Sequence, residues 1–387
     1  MDFSHNEQRR MLEETATRFL RDNYPLRVRH EHAAATAGFS RDMWSRFAEL
    51  GLVGALFHEQ HGGYGGTGFD IAVLFEALGR SLVVEPFFAS LLGGSLLAEL
   101  CRPEQRALIA EIINGSRLVS VAHTEPQSRY DLADVATSAT RDPHGGWRLQ
   151  GNKAVVPNGD TAESLIVSAR MHGTQSEPQG IGLFLVDARA AGLERCGYAT
   201  VDGGRAAEIT LNDVVLDESA SLGRAGEAFA ALENAVGLAT LALCAEALGA
   251  MQAATDMTLE YLRTRKQFGV TIGSFQVLQH RYVELLIEIE QVRSQLINAA
   301  SSIDSGAPDC QWQLSAAKHL TGRVARLVAE ETVQLHGGIA MTWEYGLAHF
   351  AKRLVMIDHW LGDTDHHLER CVMLARDTGL SATSAIR

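Results

Sequence analysis

The 387-residue chain contains few cysteines, and none of them stands close to another in the sequence. The five occur at widely separated positions, namely Cys101, Cys196, Cys244, Cys310 and Cys371. Structural metal sites and redox-active dithiols need closely spaced cysteines, so the sequence predicts neither. Scattered thiols are typical of a reducing compartment, and a cytoplasmic location is therefore expected.

Positive charge is also scarce. The 34 lysines and arginines are outnumbered by 47 acidic residues, which gives a formal net charge of -13 at pH 7. An acidic surface repels nucleic acid and anionic membranes, so neither is expected as a partner. A bound phosphate group would need a local cluster of basic side chains.

Long apolar segments are missing as well. Residues 1–10 lack the apolar core of a signal peptide. The longest apolar run, residues 235–245, is shorter than the roughly 20 residues that a membrane-spanning helix needs. The sequence therefore predicts neither secretion nor a membrane anchor.

The sequence does contain a hydrophobic periodicity that changes twice along the chain. Residues 1–117 carry helical stripes, the first of which contains Phe3, Met11, Leu12 and Phe19. Residues 118–222 alternate with a period of two, in apolar runs at 118–122, 147–150, 153–156, 164–168, 182–186 and 207–211. Helical periodicity returns over residues 223–387, in long patterns at 229–263, 277–302, 311–335 and 360–376. The order predicts an α+β fold with an N-terminal helical domain, a middle antiparallel β domain and a C-terminal four-helix bundle.

The segment 263–276, which reads RTRKQFGVTIGSFQ, combines basic, aromatic and glycine residues between two helical patterns. A guanidinium such as that of Arg265 is a forked donor to phosphate, and a helix start near Gln276 offers free backbone N–H groups. Phe268 adds a ring on which a ligand can pack. The segment 334–338, which reads QLHGG, adds an amide and two glycines that permit close backbone approach. Together the two segments predict a phosphate-bearing cofactor.

With these motifs and the order of helical, β and helical zones, the chain resembles the acyl-CoA dehydrogenase family over essentially its whole length. The resemblance implies FAD bound at a subunit interface and insertion of a trans double bond between Cα and Cβ of an acyl-CoA. It also implies electron-transfer flavoprotein as electron acceptor and a homotetramer or α2β2 heterotetramer. The opening helices, the Thr124-Glu-Pro126 motif and residues 361–370 look most like small subunits of bacterial pimeloyl-CoA dehydrogenases, whose partner is a larger homologue.

The resemblance assigns seven residues to FAD. Six would bind the diphosphate and adenosine half of a neighbouring subunit's FAD, namely Arg265, Phe268, Gln276, Gln334, Gly337 and Gly338. Thr124 would face the flavin ring from the β domain. The protein's task would be to orient the cofactor, which carries the redox chemistry.

The chain departs from the family at the catalytic base, which removes the α-proton while a hydride leaves Cβ. Where members usually have a glutamate, this chain has Leu361, directly before Gly362. The alternative base position falls on Ala239, with Thr240 where an arginine is common. Further departures near the flavin are Arg129-Tyr130, Val155, Pro157, Asp363 and Asp365.

Glu246 is the one residue that could replace the base. It is the only charged residue between Glu233 and Asp256, and it follows Ala239 by seven residues, about two helical turns. A carboxylate in so apolar a helix is costly unless it has a partner. Two interpretations are equally open: a catalytic base, or a buried glutamate bonded to an arginine or to backbone.

Three functions remain open at this point. The first is an acyl-CoA dehydrogenase subunit that works beside a larger catalytic partner, and the second is a self-sufficient homo-oligomer that uses Glu246. The third is a non-catalytic scaffold that has kept the fold. A nicotinamide-dependent reductase is supported only by the glycine pattern at 63–68, which lies in a helical zone and is better explained as an interhelical loop. No metal site is predicted, since His359, Asp363, His366 and His367 are expected to form a solvated polar face.

Overall fold

The computed structural model describes residues 6–377. The first helix buries Leu12 of the predicted N-terminal stripe and half-buries Phe19, but the prediction is wrong for Met11, which is 62% exposed, and Phe3 lies outside the described residues. Six α-helices occur among the described residues before the first strand: α1 (Glu7–Asn23), α2 (Leu26–Ala34), α3 (Arg41–Glu49), α4 (Gly68–Ser81), α5 (Phe87–Leu100) and α6 (Ala107–Ile113). The glycine-rich segment 62–68 is a loop that ends where α4 begins, as expected for an interhelical connection.

The middle zone forms one sheet of eight strands. These are β1 (Val119–Ala122), β2 (Ser138–Arg141), β3 (Trp147–Pro157), β4 (Ser164–Arg170), β5 (Ile181–Asp187), β6 (Leu193–Ala199), β7 (Arg205–Leu216) and β8 (Ser221–Leu222). The strand order is β6-β7-β3-β2-β4-β5-β8, and β1 pairs with β4. The prediction of an antiparallel domain is confirmed for most neighbours but is wrong for β1 and β2, which pair with β4 in parallel.

The C-terminal zone is helical, as predicted. It contains α7 (Phe229–Thr264), a short hairpin of β9 (Lys266–Gln267) and β10 (Val270–Thr271), then α8 (Gln276–Ser305), α9 (Cys310–His336), α10 (Leu347–His359) and α11 (Thr364–Asp377). The helix α10 is missing from the sequence prediction. Its signal was present, because the buried residues Leu347, Phe350, Leu354 and Ile357 recur at helical spacing.

The chain folds into two compact units. One contains the described residues up to His30, Thr67–Val83 and the described residues from Thr240 onward, and it is helical apart from the β9–β10 hairpin. The other contains Glu31–Gly66 and Val84–Ala239, and it includes the eight-stranded sheet. The family architecture of helical, β and helical zones is thereby confirmed, whereas the boundaries 1–117, 118–222 and 223–387 stay predictions.

Within the helical unit, two glycines set the approach of α4 to α7. A Cβ added at Gly79 would lie 2.0 Å from the carbonyl oxygen of Glu246, and one at Gly249 would lie 2.0 Å from that of Glu76. Real Cβ atoms cannot approach a carbonyl so closely, so glycine is required on both helices. The backbone of α7 around Glu246 is therefore held tightly against α4.

One helix, α7, is long and apolar enough to cross a membrane by length and composition alone. However, 83% of its 18-residue apolar window is buried inside the protein. Its apolar side chains are thus already used in the protein core, as in the central helix of a bundle.

Candidate functional site

The predicted phosphate-binding corner folds as a tight hairpin that displays a phenylalanine. Strands β9 and β10 are joined by Phe268 and Gly269, whose φ angles are 53° and 83°. Positive φ at both central residues defines a type I′ turn, which suits glycine but strains phenylalanine by about 1–2 kcal/mol. The Phe268 side chain is nevertheless 92% exposed, and its ring meets that of Phe275 edge-on at 6.3 Å between centroids. An exposed aromatic side chain in a strained turn is typical of a residue that packs against a bound ligand.

The second motif, residues 334–338, exposes main-chain atoms at its two glycines. Gly337 has φ 68° and ψ -148°, a conformation essentially restricted to glycine. Gly338 does not need positive φ, and a Cβ added there would meet nothing within 4 Å. The fold itself therefore does not explain glycine at position 338, whereas close approach of a ligand to the backbone would. Gln334, Gly337 and Gly338 are all exposed.

A stack of aromatic rings joins the two motifs. Tyr261, at the end of α7, stacks on His336 with ring centroids 4.5 Å apart. The Nδ1–H of His336 donates to the carbonyl oxygen of Thr332 at 2.8 Å, because a carbonyl can only accept. Its Nε2 atom then accepts from the hydroxyl group of Tyr345 at 3.0 Å. Arg265 follows Tyr261 by four residues, and Gly337 directly follows His336. The stack of Tyr261 on His336 therefore holds the two motifs close together within the helical unit.

In the unit that contains the sheet, Thr124 is hydrogen-bonded to the residue before a strained valine. The backbone N–H of Ala154 donates to the Thr124 carbonyl at 2.8 Å, and the next residue, Val155, has φ 53°. Valine is β-branched, so a left-handed conformation is a true outlier for it. Val155 sits in a bulge between β3 and β7 and is 44% exposed. Arg129, where the family has glycine, also has a positive φ of 48°.

A buried ion pair lies under this strained region. The Lys153 ammonium group donates to Glu125 Oε1 at 2.6 Å, and both side chains are almost fully buried. Burial opposes the ionised form of Glu125, but Lys153 and hydrogen bonds outweigh it and hold the carboxyl pKa at about 2. Burial lowers the pKa of Lys153 to about 8, and Glu125 limits that decrease. The backbone N–H groups of Ala136 and Thr137 also donate to the Glu125 carboxylate.

The turn at Leu361 is held from within the helical unit. Leu361 has φ 59°, and its carbonyl oxygen accepts from His367 Nε2 at 3.0 Å. The ammonium group of Lys318, which is completely buried on α9, donates to the carbonyl oxygens of Asp358 at 2.9 Å and Gly362 at 2.6 Å. The backbone around the usual base position is therefore well fixed, although leucine cannot accept a proton.

The prediction of a solvated polar face at this turn is wrong for His367, which is 5% exposed. Asp363 Oδ1 instead accepts from the backbone N–H of His366 at 2.9 Å, at the start of α11. Among residues 6–377, no group of three or more histidine, cysteine or acidic side chains is arranged to hold a metal ion. These polar side chains organise the turn itself.

Glu246 is 5% exposed and forms a bidentate ion pair with Arg353 of α10. Its two carboxylate oxygens accept from Arg353 Nε at 2.6 Å and Nη2 at 2.7 Å. This geometry matches the second of the two interpretations, a buried glutamate bonded to an arginine. The role of Glu246 as a base stays a prediction, and it would require the carboxylate to leave this pair.

Sequence reasoning missed the residues that position the site, namely His123, Lys153, Ser168, Lys318, Arg353 and His367. Except for His367, which binds Leu361 six residues away, each of them acts on a residue distant in the sequence. Two of these residues could have been found in the sequence as lysines inside an apolar pattern. Lys153 lies in the run 153–156, and Lys318 lies in the helical pattern 311–335. Such residues are rarely buried without a specific partner.

The fold and the exposed cofactor motifs define a flavin-dependent dehydrogenase, and comparisons with known proteins agree. Three family models match: Acyl-CoA dehydrogenase, N-terminal domain, over residues 6–115; the middle domain over 120–217; and the C-terminal domain over 227–373. The chain belongs to the acyl-CoA dehydrogenase family.

Individual relatives cover nearly the same extent. The mitochondrial long-chain specific acyl-CoA dehydrogenase of Rattus norvegicus is 30% identical over 82% of this chain and 75% of its own length. A solved structure of a variant of the "Tcur3481-Tcur3483 steroid ACAD" is 32% identical, covers 97% of this chain and 99% of that chain, and has a TM-score of 0.87. "PigA with FAD and proline" is 25% identical, with 98% and 100% coverage and a TM-score of 0.88.

FAD is accordingly the cofactor of this family member, and the residues present fit it. Arg265 is an exposed forked donor for a diphosphate. The open space at Gly338 and the exposed ring of Phe268 suit a flat, phosphate-bearing molecule. All seven residue assignments to FAD stay predictions from the family motif, namely Thr124, Arg265, Phe268, Gln276, Gln334, Gly337 and Gly338.

Acid should destabilise the Leu361 turn through His367. Burial, followed by the charge of Lys318, lowers the pKa of His367 from 6.5 to about 3. Between these pH values the unfolded chain binds a proton that the native protein excludes, so the associated stability is complete above pH 6.5 and is lost as the pH falls. We expect His367 to contribute a loss of about 1.4 kcal/mol per pH unit below 6.5, in urea unfolding followed from pH 7 to pH 5.

Replacement of the imidazole tests this linkage. His367→Gln keeps a donor for the Leu361 carbonyl but has no titrating ring, so its stability should depend less on pH than that of the wild type. His359→Gln changes an exposed histidine on α10 and serves as the control. An unchanged pH dependence in His367→Gln would contradict the assignment.

The Glu246–Arg353 pair should contribute to the free energy of unfolding rather than to flavin reduction. Glu246→Gln leaves a poorly compensated guanidinium in a largely buried site, and we expect it to lower the free energy of unfolding by about 3 kcal/mol. The double variant Glu246→Leu/Arg353→Met should recover most of this loss. Flavin reduction by acyl-CoA, measured in the assembled enzyme, should persist in both. Loss of reduction in a folded, FAD-bound Glu246→Gln variant would instead identify Glu246 as the base.

Proposed function

We propose that this chain is the subunit without a catalytic base in a heteromeric, FAD-dependent acyl-CoA dehydrogenase, and that a longer homologue supplies the base. The observation that carries the proposal is Leu361, a side chain without proton affinity in the turn where the family usually has its glutamate. The carboxylate predicted as an alternative base, that of Glu246, is engaged by Arg353. Resemblance to small subunits of pimeloyl-CoA dehydrogenases motivates the same assembly.

In this assembly the chain's own residues would bind and orient. Arg265, Phe268 and Gln276 offer a forked donor, a ring and a helix start, and Gly337 with Gly338 offers backbone. FAD, when bound, supplies a hydride acceptor for the Cβ of an acyl thioester. The α-proton must pass to a base, and the partner's glutamate is the group proposed for that step. Electron-transfer flavoprotein is the proposed electron acceptor.

For the acyl group we propose a bulky carboxylic acid such as a steroid side chain, carried as its CoA thioester. The support is the likeness to the structure named as a steroid acyl-CoA dehydrogenase, which is 32% identical over 97% of this chain. That structure's name also joins two proteins, in keeping with a heteromer. A cytoplasmic location is proposed from the scattered free cysteines.

Co-expression tests the assembly. We expect the chain purified alone to show no flavin reduction with any acyl-CoA. When the chain is co-purified with a longer homologue that keeps the glutamate, acyl-CoA should reduce the bound flavin. The measurement is the bleaching of the oxidised flavin absorbance under anaerobic conditions, with steroid, dicarboxylyl, aromatic and straight-chain acyl-CoA thioesters.

Three outcomes separate the candidate functions. Reduction by the isolated chain would overturn the obligate partner and favour a self-sufficient homo-oligomer. A colourless preparation in both settings would favour a non-catalytic scaffold. Reduction only in the co-purified complex would support the proposal.

Leu361→Glu should restore a base to this subunit. The turn is already fixed by Lys318 and His367, which bind backbone carbonyls and do not depend on the side chain at position 361. We expect the variant to gain flavin reduction at least tenfold above the wild-type background, since general bases contribute typically 10²–10⁴-fold. Leu361→Gln, which has similar size without a basic group, is the matched control. Equal activity of the two variants would contradict the assignment of this position.

A further inference from the structure

A buried polar network in the sheet-containing unit fixes the ring of His123, which directly precedes Thr124. Lys153 donates its three N–H bonds to Glu125 Oε1 at 2.6 Å, Ser168 Oγ at 2.9 Å and the carbonyl oxygen of His123 at 3.2 Å. The ammonium group is therefore saturated. Ser168 Oγ also lies 2.9 Å from Nδ1 of His123.

The position of the proton on His123 follows from counting donors. Ser168 is completely buried, and its oxygen accepts from Lys153, so its own hydrogen needs an acceptor. Nδ1 of His123 is the only acceptor in contact with this hydroxyl group among residues 6–377. If Nδ1 carried the proton instead, the serine hydrogen would be buried without a partner, which is costly. The neutral ring therefore carries its proton on Nε2.

The ring is also kept neutral. Burial, and then the nearby Lys153 ammonium group, lowers the pKa of His123 from 6.5 to about 3, although Glu125 opposes this shift. Lys153 additionally binds the backbone carbonyl of the same residue, so both the main chain and the ring of His123 are fixed. A network of this kind gives an imidazole one tautomer, one orientation and no charge at neutral pH.

The Nε2–H group has no hydrogen-bond partner within the described part of the chain, and His123 is half-buried rather than enclosed. An immobilised, accessible donor therefore stands next to Thr124. The neighbouring backbone is strained at Val155, which follows the residue that hydrogen-bonds to the Thr124 carbonyl. Strain and a preoriented donor in one place are typical of a ligand site.

We propose that His123 donates a hydrogen bond from Nε2 to a carbonyl-type acceptor of the bound reactants, on the flavin or on the acyl thioester. The inference rests on FAD and acyl-CoA binding by the family fold. A neutral donor of fixed orientation binds such an acceptor without introducing a charge that would attract solvent or a second anion. His123 would thus be a residue of the reactant site that the family motifs do not reveal.

The first experiment reads the tautomer and is independent of activity. Histidine labelled with ¹⁵N is incorporated into the FAD-loaded protein, in whichever assembly binds FAD, and the His123 signals are assigned by their absence from His123→Gln. We expect a neutral ring with the proton on Nε2 throughout pH 6–8. An imidazolium ion or a proton on Nδ1 at pH 7 would overturn the network as described.

The second experiment identifies the acceptor. His123→Leu removes the donor, His123→Gln retains an amide donor and an acceptor for Ser168, and His144→Leu changes an exposed histidine on the turn before β3 as a control. If the flavin is the acceptor, the leucine variant should bind FAD about three- to tenfold more weakly and show a lower midpoint potential. If the thioester is the acceptor, the Kd of acyl-CoA should rise by a similar factor while FAD binding is unchanged.

The binding constants and the midpoint potential distinguish a hydrogen bond from His123 to the reactants from a purely structural role of His123. His123→Gln should lie within about twofold of the wild type if the donor matters, and thermal unfolding shows whether each variant is folded. Wild-type values for FAD, acyl-CoA and midpoint potential in His123→Leu would overturn the proposal and leave the enzyme assignment intact. Failure of the wild type to bind FAD would instead contradict the enzyme assignment, while the tautomer measurement would still report on His123.

Discussion

A buried ammonium group has to satisfy its N–H donors inside the protein, and this requirement fixes one loop in each of the two compact units. Lys153 and Lys318 are the two buried lysines in the described part of the chain, one in each compact unit. Lys153 binds Glu125, Ser168 and a backbone carbonyl beside Thr124, and Lys318 binds two carbonyls that flank Leu361. Because moving either loop would strand a buried charge, each lysine fixes a loop more firmly than apolar packing could.

Part of the strained backbone of this protein lies in or beside these loops. Seven described non-glycine residues have positive φ, and four of them are Arg129, Val155, Phe268 and Leu361. Arg129, Val155 and Leu361 are also departures from the family pattern, whereas Phe268 belongs to it. A strained conformation persists only when surrounding interactions over-determine it. The backbone at Leu361 and next to Val155 is thus held by hydrogen bonds to main-chain atoms, which do not depend on the side chains at these two positions.

Periodicity along the sequence was enough to predict the zones of the fold, because buried helices and strands need regular apolar spacing. It failed for β6, whose residues are mostly exposed, and for α10, which lies between the predicted helical patterns 311–335 and 360–376. The cofactor motifs could be read because their residues are contiguous and exposed. The partners of buried charges could not, since Arg353 lies 107 positions from Glu246 and only tertiary packing brings them together.

The same physics explains how this chain can carry leucine at the usual base position and keep its fold. Lys318 and His367 hold the Leu361 turn through carbonyl oxygens, which every residue type provides. A carboxylate at that position contributes nothing to these bonds, and leucine avoids the cost of keeping an anion in a half-buried place. Replacing the base therefore leaves the backbone and the FAD motifs undisturbed. In the proposed heteromer, the side chain at position 361 is then sufficient to distinguish the two subunits. One subunit abstracts the proton, and both contribute to cofactor binding.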